Sequence, residues 1–494
     1  MRSLLSLVVR VAVLVPVLVA AVFARLGVQL APATYNPALV SNLTEAMKVV
    51  FDDAVINNVV TDSEWLSRIQ TDSNIRTDET TGGRFTELSH YFQLPAGVGA
   101  RFENDYVPMA DPAVFKNSRI YLAKIQGVVE MTGDVMRRVA SSEGAFLDYA
   151  AQALPDFAKR LTHELDRMAL GVGHGAKARV AAVSAFNSPS AGQFTVDLTA
   201  ALGVSNAGHA FLQFLEGERV VFASTIAFPT TLLNAGATQS ARIVSIDEDA
   251  NGGSGRLTFT GDVTLRNAIN TAVGTTPFIF AGDSAGSSAP GAAPFGSVVG
   301  HKECQGLFAG VDDGNVLANY NTIDRSSADN RLWRSIVING GAAPWNGVLN
   351  EELLTYADDE VGVRGAGRTD LILSSRSAMR GYWKTLKADR FIMDPRSYAG
   401  GKSGLEIILG DRSVPMVVAR KMPFDVTFGL QLDTWRRLTL GMWEWDDKTG
   451  AIWNRATDAT GRRDAFYAVG NMYEQMFCTA PRKNWRIDGL SLQF

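Results

Sequence analysis

The sequence predicts an α+β fold built from four successive parts: a long two-stranded arm, one long amphipathic helix, an all-β insertion, and a mixed α and β C-terminal half. Three observations predict it. Tyr121, Ala123, Ile125, Gly127 and Val129 alternate on one face, as a half-buried strand requires. Phe157, Leu161, Leu165 and Met168 recur at helical spacing. Eight of the nine Trp lie beyond residue 330, which puts the main core there.

Residues 11–24 form an unbroken apolar run after Arg2 and Arg10, followed by the small-residue site Ala31-Pro32-Ala33. This has the form of a secretory leader and is short for a membrane span. A helix is expected from Asn42, which can cap it, with Glu45 reaching back. Residues 71–83 read as a polar loop. Residues 84–94 and 115–131 read as extended strands joined through Pro95-Ala96-Gly97-Val98-Gly99 and a mixed-charge tip carrying Arg101, Glu103 and Asp105. Such an arm has little apolar surface of its own, and an isolated hairpin is marginal in water, so it needs a neighbour.

Residues 141–170 read as a helix, with Pro155 kinking it or starting its second half and Gly171 stopping it. Asp156/Arg160, Arg160/Glu164 and Glu164/Arg167 are spaced to pair on the solvent side. Residues 190–282 are rich in Val, Thr, Phe and Gly in short alternating runs, hence the all-β insertion. Residues 283–299 read as a Ser/Ala/Gly/Pro linker. Beyond it, helices are expected at 349–361 and 375–386, with a buried strand at 370–374 between them.

Several motifs invite a chemical reading. Gly282-Asp283-Ser284-Ala285-Gly286 fits the G-x-S-x-G elbow of serine hydrolases and follows an apolar strand at 277–280. The elbow needs a following helix, but Ser287-Ser288-Ala289-Pro290-Gly291 is a poor one, and only His301 lies beyond Ser284 as a base. A linker turn is the preferred reading, with an exported hydrolase using Ser284 as the alternative. Asp247-Glu248-Asp249-Ala250-Asn251-Gly252 matches half of a calcium loop, yet Thr258 stands where the bidentate Glu belongs, so a β-turn is expected. Gly401-Lys402-Ser403 lacks the leading Gly of a phosphate loop, because Arg396 occupies that position. His90, His163, His174, His209 and His301 are scattered, and His163-Glu164 lacks the second His of a zinc helix. Cys304 and Cys478 form no framework. No catalytic, cofactor or metal site is therefore expected. The net charge is −4, and the only charges before residue 32 are Arg2, Arg10 and Arg25, so the remainder is more acidic still. An acidic body argues against tight wrapping of nucleic acid.

The order of phrases from residue 80 to 180 resembles the tailed-bacteriophage major capsid family of the Hong Kong 97 type. The phrases are Thr81-Gly82-Gly83-Arg84-Phe85-Thr86-Glu87, Gln93-Leu94-Pro95-Ala96-Gly97-Val98-Gly99-Ala100-Arg101, Glu130-Met131-Thr132-Gly133-Asp134, Glu143-Gly144-Ala145-Phe146 and Glu164-Leu165-Asp166-Arg167-Met168. Weaker likeness, including Gly306-Leu307 and residues 443–453, extends through 300–490. The resemblance implies an N-terminal arm at 32–79, an extended loop and its base at 80–128, a spine helix and peripheral domain at 129–189, a β-rich insertion and linker at 190–299, and an axial domain with a return to the peripheral domain at 300–494. It implies a subunit that is not an enzyme and needs no cofactor. Such subunits self-assemble into hexamers and pentamers of an icosahedral shell, beginning in the host cytoplasm, with a scaffolding protein, a portal and a decoration protein as partners. They enclose double-stranded DNA without reading its sequence, and no membrane is involved. An encapsulin-like bacterial compartment is the second alternative. Lys116 is the arm's only lysine, at its base, so covalent cross-linking through the arm is not expected. An export signal conflicts with cytoplasmic assembly. Residues 1 to about 35 are thus expected to be absent from the particle, through a start assigned too far upstream or through removal during maturation.

Overall fold

The structure is a computed structural model that describes residues 65–72, 85–95, 114–132, 143–204, 208–225, 240–282, 303–389, 405–447, 453–458 and 461–491, with isolated positions between 96 and 113 and at 232–233. The leader, the Asn42 helix, the linker at 283–299 and the 401–403 loop lie outside the described residues.

In chain order, a short strand β1 (Gln70–Asp72) precedes the arm, β2 (Phe85–Gln93) and β3 (Val114–Tyr121). β4 (Ala123–Thr132) follows after one residue, and the long helix spans Glu143–Leu170. The next six strands are β5 (Ala176–Val183), β6 (Gln193–Thr199), β7 (Arg219–Ala223), β8 (Ser240–Asp247), β9 (Arg256–Thr260) and β10 (Phe278–Ala281), with a helix at Val263–Ala272. The two-residue strands β11 (Asn319–Tyr320) and β12 (Ile323–Asp324) form a small ladder. β13 (Ile336–Asn339), a helix at Glu351–Gly365, β14 (Leu371–Ser374) and a helix at Arg376–Asp389 come next. The chain continues through β15 (Leu405–Leu409), β16 (Arg412–Val418), β17 (Thr427–Leu430), β18 (Trp435–Trp445), β19 (Trp453–Asp458), β20 (Gly461–Cys478) and β21 (Trp485–Asp488).

β20 organises the first sheet. β18 pairs with its C-terminal half, β19 with its N-terminal half and β4 with its middle, all antiparallel, while β1 runs parallel to β18. The alternation read from the sequence is real in β4: Ala123, Ile125 and Val129 are buried and Lys124, Gln126 and Glu130 exposed. It does not run unbroken, because Ser118 and Ile120 are the buried residues of β3, so the phase slips at the junction. The long helix lies on this sheet through Leu161, Leu165 and Met168. Gly127 and Gly470 face each other across the β4–β20 ladder. A Cβ at Gly127 would lie 2.3 Å from the Phe157 ring, and one at Gly470 would lie 2.0 Å from the Trp443 ring. The glycine pair thus opens the slot in which these two rings meet edge to face at 5.3 Å.

The core is not confined to the C-terminal half. Trp65 meets Trp435 edge-on at 5.3 Å, and β4, the long helix, Phe308, Trp443 and Met472 belong to the same apolar cluster. The helix runs through Pro155 and ends at Leu170, where the Gly171 N–H donates to the carbonyls of Arg167 and Met168, both at 3.0 Å.

The insertion is larger than expected and not all-β. β10-β5-β6-β9-β8-β7 closes into a six-stranded barrel that starts at Ala176, ahead of residue 190, and includes the Val263–Ala272 helix. Asp262 caps that helix, its carboxylate accepting from the Thr264 N–H at 3.3 Å. Val180, Phe194, Val196, Phe222, Leu257 and Phe259 fill the interior. Closure removes sheet edges. The chain leaves the core at Gly171 and returns at Gly306, whose N–H donates to the Gly171 carbonyl at 3.0 Å.

Glu164 and Arg167 correct a second expectation. They do pair, at 2.8 Å, but not at the surface: Arg167 is 1% exposed. Arg167 also donates to Glu303 at 2.6 Å, and Lys177 of β5 to Glu164 at 2.6 Å and to Glu218. Burial works against ionised Glu164, yet Lys177 and Arg167 hold its carboxyl well below the usual range. This buried network ties the barrel to the helix and to the returning chain.

A third sheet, ordered β13-β21-β17-β14-β16-β15, packs against the Glu351–Gly365 helix through Leu353, Leu354, Ile372, Met416 and Trp485. Asn350 caps the helix by accepting from the Leu353 N–H at 2.8 Å. β14 is wholly buried, parallel to β16 and antiparallel to β17, as its unbroken Leu-Ile-Leu run requires. At the end of this sheet Asp425 is buried, its Oδ1 without a hydrogen-bond partner, and burial pushes its carboxyl from 3.8 up to about 8. A carboxyl with a raised folded value binds more protons folded than unfolded, so its effect on stability worsens as pH rises from about 4 to about 8. Asp425→Asn is expected to melt above the parent by a margin that widens across that interval. A constant margin in thermal melts would refute the assignment.

Candidate assembly surfaces

The arm is a regular antiparallel ladder, with Phe85 opposite Tyr121 and Tyr91 opposite Phe115. Its base is held by its own chain. His90 packs on Trp333 at 4.6 Å between ring centres and bonds Ser118 at 2.8 Å. Lys116 donates to Asn330 Oδ1 and sits 5.1 Å over the Phe92 ring. The Arg119 N–H donates to the Asn321 carbonyl at 3.1 Å, and Ile120 joins Leu438 and Phe477 in a small apolar cluster. The far end differs. Leu94 is 75% exposed, Val98 100%, Phe102 87% and Tyr106 92%, and Tyr91 and Phe115 are also exposed, packed on each other at 4.1 Å. The sequence reading gave the arm little apolar surface. In fact its apolar groups are large and exposed to solvent, as in a surface that another chain can cover. The available signal was Leu94, Val98, Phe102, Tyr106, Val107 and Met109 in a segment otherwise made of Ala, Gly, Pro, Asn and charges.

The motif residues are not gathered at one place. Ser284 and His301 lie outside the described residues. The strand before Ser284 is β10 of the barrel, and the Gly282 N–H donates to the Arg219 carbonyl of β7 at 2.8 Å. The calcium-like stretch connects β8 to β9, and among the described residues no group of His, Cys, Asp and Glu could hold a metal ion. His163 is pushed down to about 3, by burial first and Lys421 second, and Lys421 donates to its carbonyl. The Ala176 N–H donates to His174 Nδ1 at 3.2 Å, and His209 meets the Phe424 ring at 5.7 Å. Cys304 and Cys478 are free and buried, and burial raises both thiols. No described helix is long and apolar enough to cross a membrane.

No family model and no curated protein matches the chain. Solved structures do. The chain is similar to phage capsid subunits. It matches a chain of the cyanophage A-1(L) capsid asymmetric unit with 11% identity and a TM-score of 0.42, over 86% of this chain and 90% of that one. A chain of the satellite phage P4 procapsid including size determination (Sid) protein matches with 10% identity and a TM-score of 0.33, over 89% and 99%. A chain from the capsid of a native GTA particle matches with 9% identity and a TM-score of 0.37, over 86% and 90%.

Two features escaped the sequence reading altogether. One is the buried ion network, whose helical members carry the spacing of exposed pairs. The other is a groove of about 550 Å³ beside the Glu351–Gly365 helix, lined by Trp345, Glu351, Glu352, Thr355, Tyr356 and Asp359. Trp345 and Tyr356 are distant enough in sequence that only the fold brings their rings to 5.1 Å.

Proposed function

We propose that this chain is the major capsid protein of a tailed phage, assembling into hexamers and pentamers of an icosahedral shell around double-stranded DNA. The observation that carries the reading is the arm: a ladder anchored at its base by its own chain and ending in the exposed side chains of Leu94, Val98 and Tyr106. A lone subunit gains nothing from such a tip. In a closed assembly each tip lies on a neighbour, and many modest contacts act together. In this reading the long helix is the spine of a Hong Kong 97-type subunit, 300–494 supplies mainly the axial domain, and a scaffolding protein, a portal and a decoration protein are the partners. The acidic body would contain DNA without gripping it. The role is structural, with no catalytic step. Electron microscopy of the purified protein tests it: closed particles are expected, and a monodisperse small monomer under all assembly conditions would overturn it.

A further inference from the structure

The third sheet is open at both ends, with β13 as one edge and β15 as the other. The barrel removes its edges by closing, and edges left open are usually blunted by charge or proline. These two strands read Ile-Val-Ile-Asn and Leu-Glu-Ile-Ile-Leu. Glu406 is their one charge, neither holds a proline, and Ile408 is 69% exposed. Their outward backbone groups follow from the ladders. The Ile336 N–H donates to the Asn484 carbonyl at 3.2 Å and the Gly340 N–H to the Asp488 carbonyl at 2.7 Å. Alternate residues thus bond β21, and the backbone groups of Val337 and Asn339 point away from it. The Asn339 carbonyl also accepts from the Ala342 N–H at 3.3 Å. In β15 the two-residue turn Gly410-Asp411 makes Leu409 and Arg412 a hydrogen-bonded pair. Leu405, Ile407 and Leu409 therefore bond β16, and the backbone groups of Glu406 and Ile408 point outward. Pro415, which has no N–H to offer, stands opposite Glu406 and agrees.

We propose that β15 of one copy pairs with β13 of the next, head to tail, so that the sheet continues around a ring of subunits. Followed across the sheet, β13 and β15 run in opposite senses. Neighbours in a ring of five or six differ by a rotation smaller than a right angle, so the two strands meet antiparallel. Val337 then stands opposite Ile408 and Asn339 opposite Glu406, each turning its outward backbone groups to the other. The faces match as well. Ile338 comes opposite Ile407 and extends the apolar layer to which both belong, while Val337 and Ile408 share the other face. A slip of one residue would break both matches. This contact deepens the shell reading and rests on it for the ring.

Val337→Cys combined with Ile408→Cys tests it. Within one chain these positions lie at opposite edges of six strands, roughly 24 Å apart, too far to bridge. In the proposed pair their Cα atoms are about 5.5 Å apart, within disulfide range. Cys304 and Cys478 are free and buried, so the background is low. Oxidised particles of the double variant are expected to run on a non-reducing gel as a ladder that passes the dimer and ends at the ring, while each single variant stays monomeric. Ile408→Pro, which removes only an outward N–H, is expected to keep the parent's melt and form no closed particles. Ile408→Lys, which charges the edge and leaves the backbone alone, repeats that test if proline lowers the melt. Three results would each overturn the contact and leave the shell reading intact: double-variant particles that stay monomeric after oxidation, a dimer from Ile408→Cys alone, or parent-like particles from the folded edge variant. If the parent forms no particles but the oxidised double variant gives rings in solution, the contact stands and the shell reading fails.

Discussion

Deleting residues 95–112 and closing β2 to β3 with a tight turn is expected to abolish closed particles while leaving a folded, soluble subunit. The ladder and its anchors at Trp333, Asn330 and Asn321 lie outside the deletion, so the intrachain contacts survive. Removing exposed surface changes stability by roughly half a kcal/mol at most. The assembly loses far more. Burying one large apolar side chain contributes about 1.5–3 kcal/mol, and Val98, Phe102 and Tyr106 go together in every subunit. Thermal melts should nearly superimpose on the parent's, while sedimentation shows only small species. Intact shells from the deleted chain would remove the arm's assigned role.

Lys177→Met should have the largest effect on the subunit itself. Lys177 is fully buried between Glu164 and Glu218. Met fills similar space but leaves Glu218 buried with no cation and Glu164 with Arg167 alone. Breaking one side of a buried ion pair costs about 3–5 kcal/mol, whereas replacing both sides by apolar groups is often neutral. Lys177→Met should therefore melt far below the parent, and Lys177→Met with Glu218→Leu should recover a large part of the loss. If the double variant is no better than the single one, packing rather than charge governs this site.

Much of the fold is legible because local chemistry and burial agree. The β4 alternation, the stripe on the long helix and the Gly171 stop each follow from residues that need one setting. Legibility fails where the same letters suit two settings. Glu164 and Arg167 sit three apart, which reads as a solvent-side pair, and only Lys177 and Glu303, distant in sequence, make burial possible. β5 is rich in alanine and shows little strand character, so the barrel's start was assigned to the preceding domain. Trp65, Leu66 and Ile69 form a short apolar cluster between polar segments, and nothing local reveals that Trp435 covers Trp65.

The single hydrogen bond between Gly306 and Gly171 has an architectural consequence. Everything between those two glycines is a detour whose exit and entrance are the same point. β5 and β10, the first and last barrel strands, also pair with each other, so the module's own ends are neighbours. A chain with this geometry can acquire, enlarge or shed the module without stretching what remains. Beside the ion network, Leu202 and Val204 reach into the main core, His209 meets Phe424, and the buried Gln213 side chain donates to the Lys421 carbonyl at 2.9 Å, so the module is seated as well as attached.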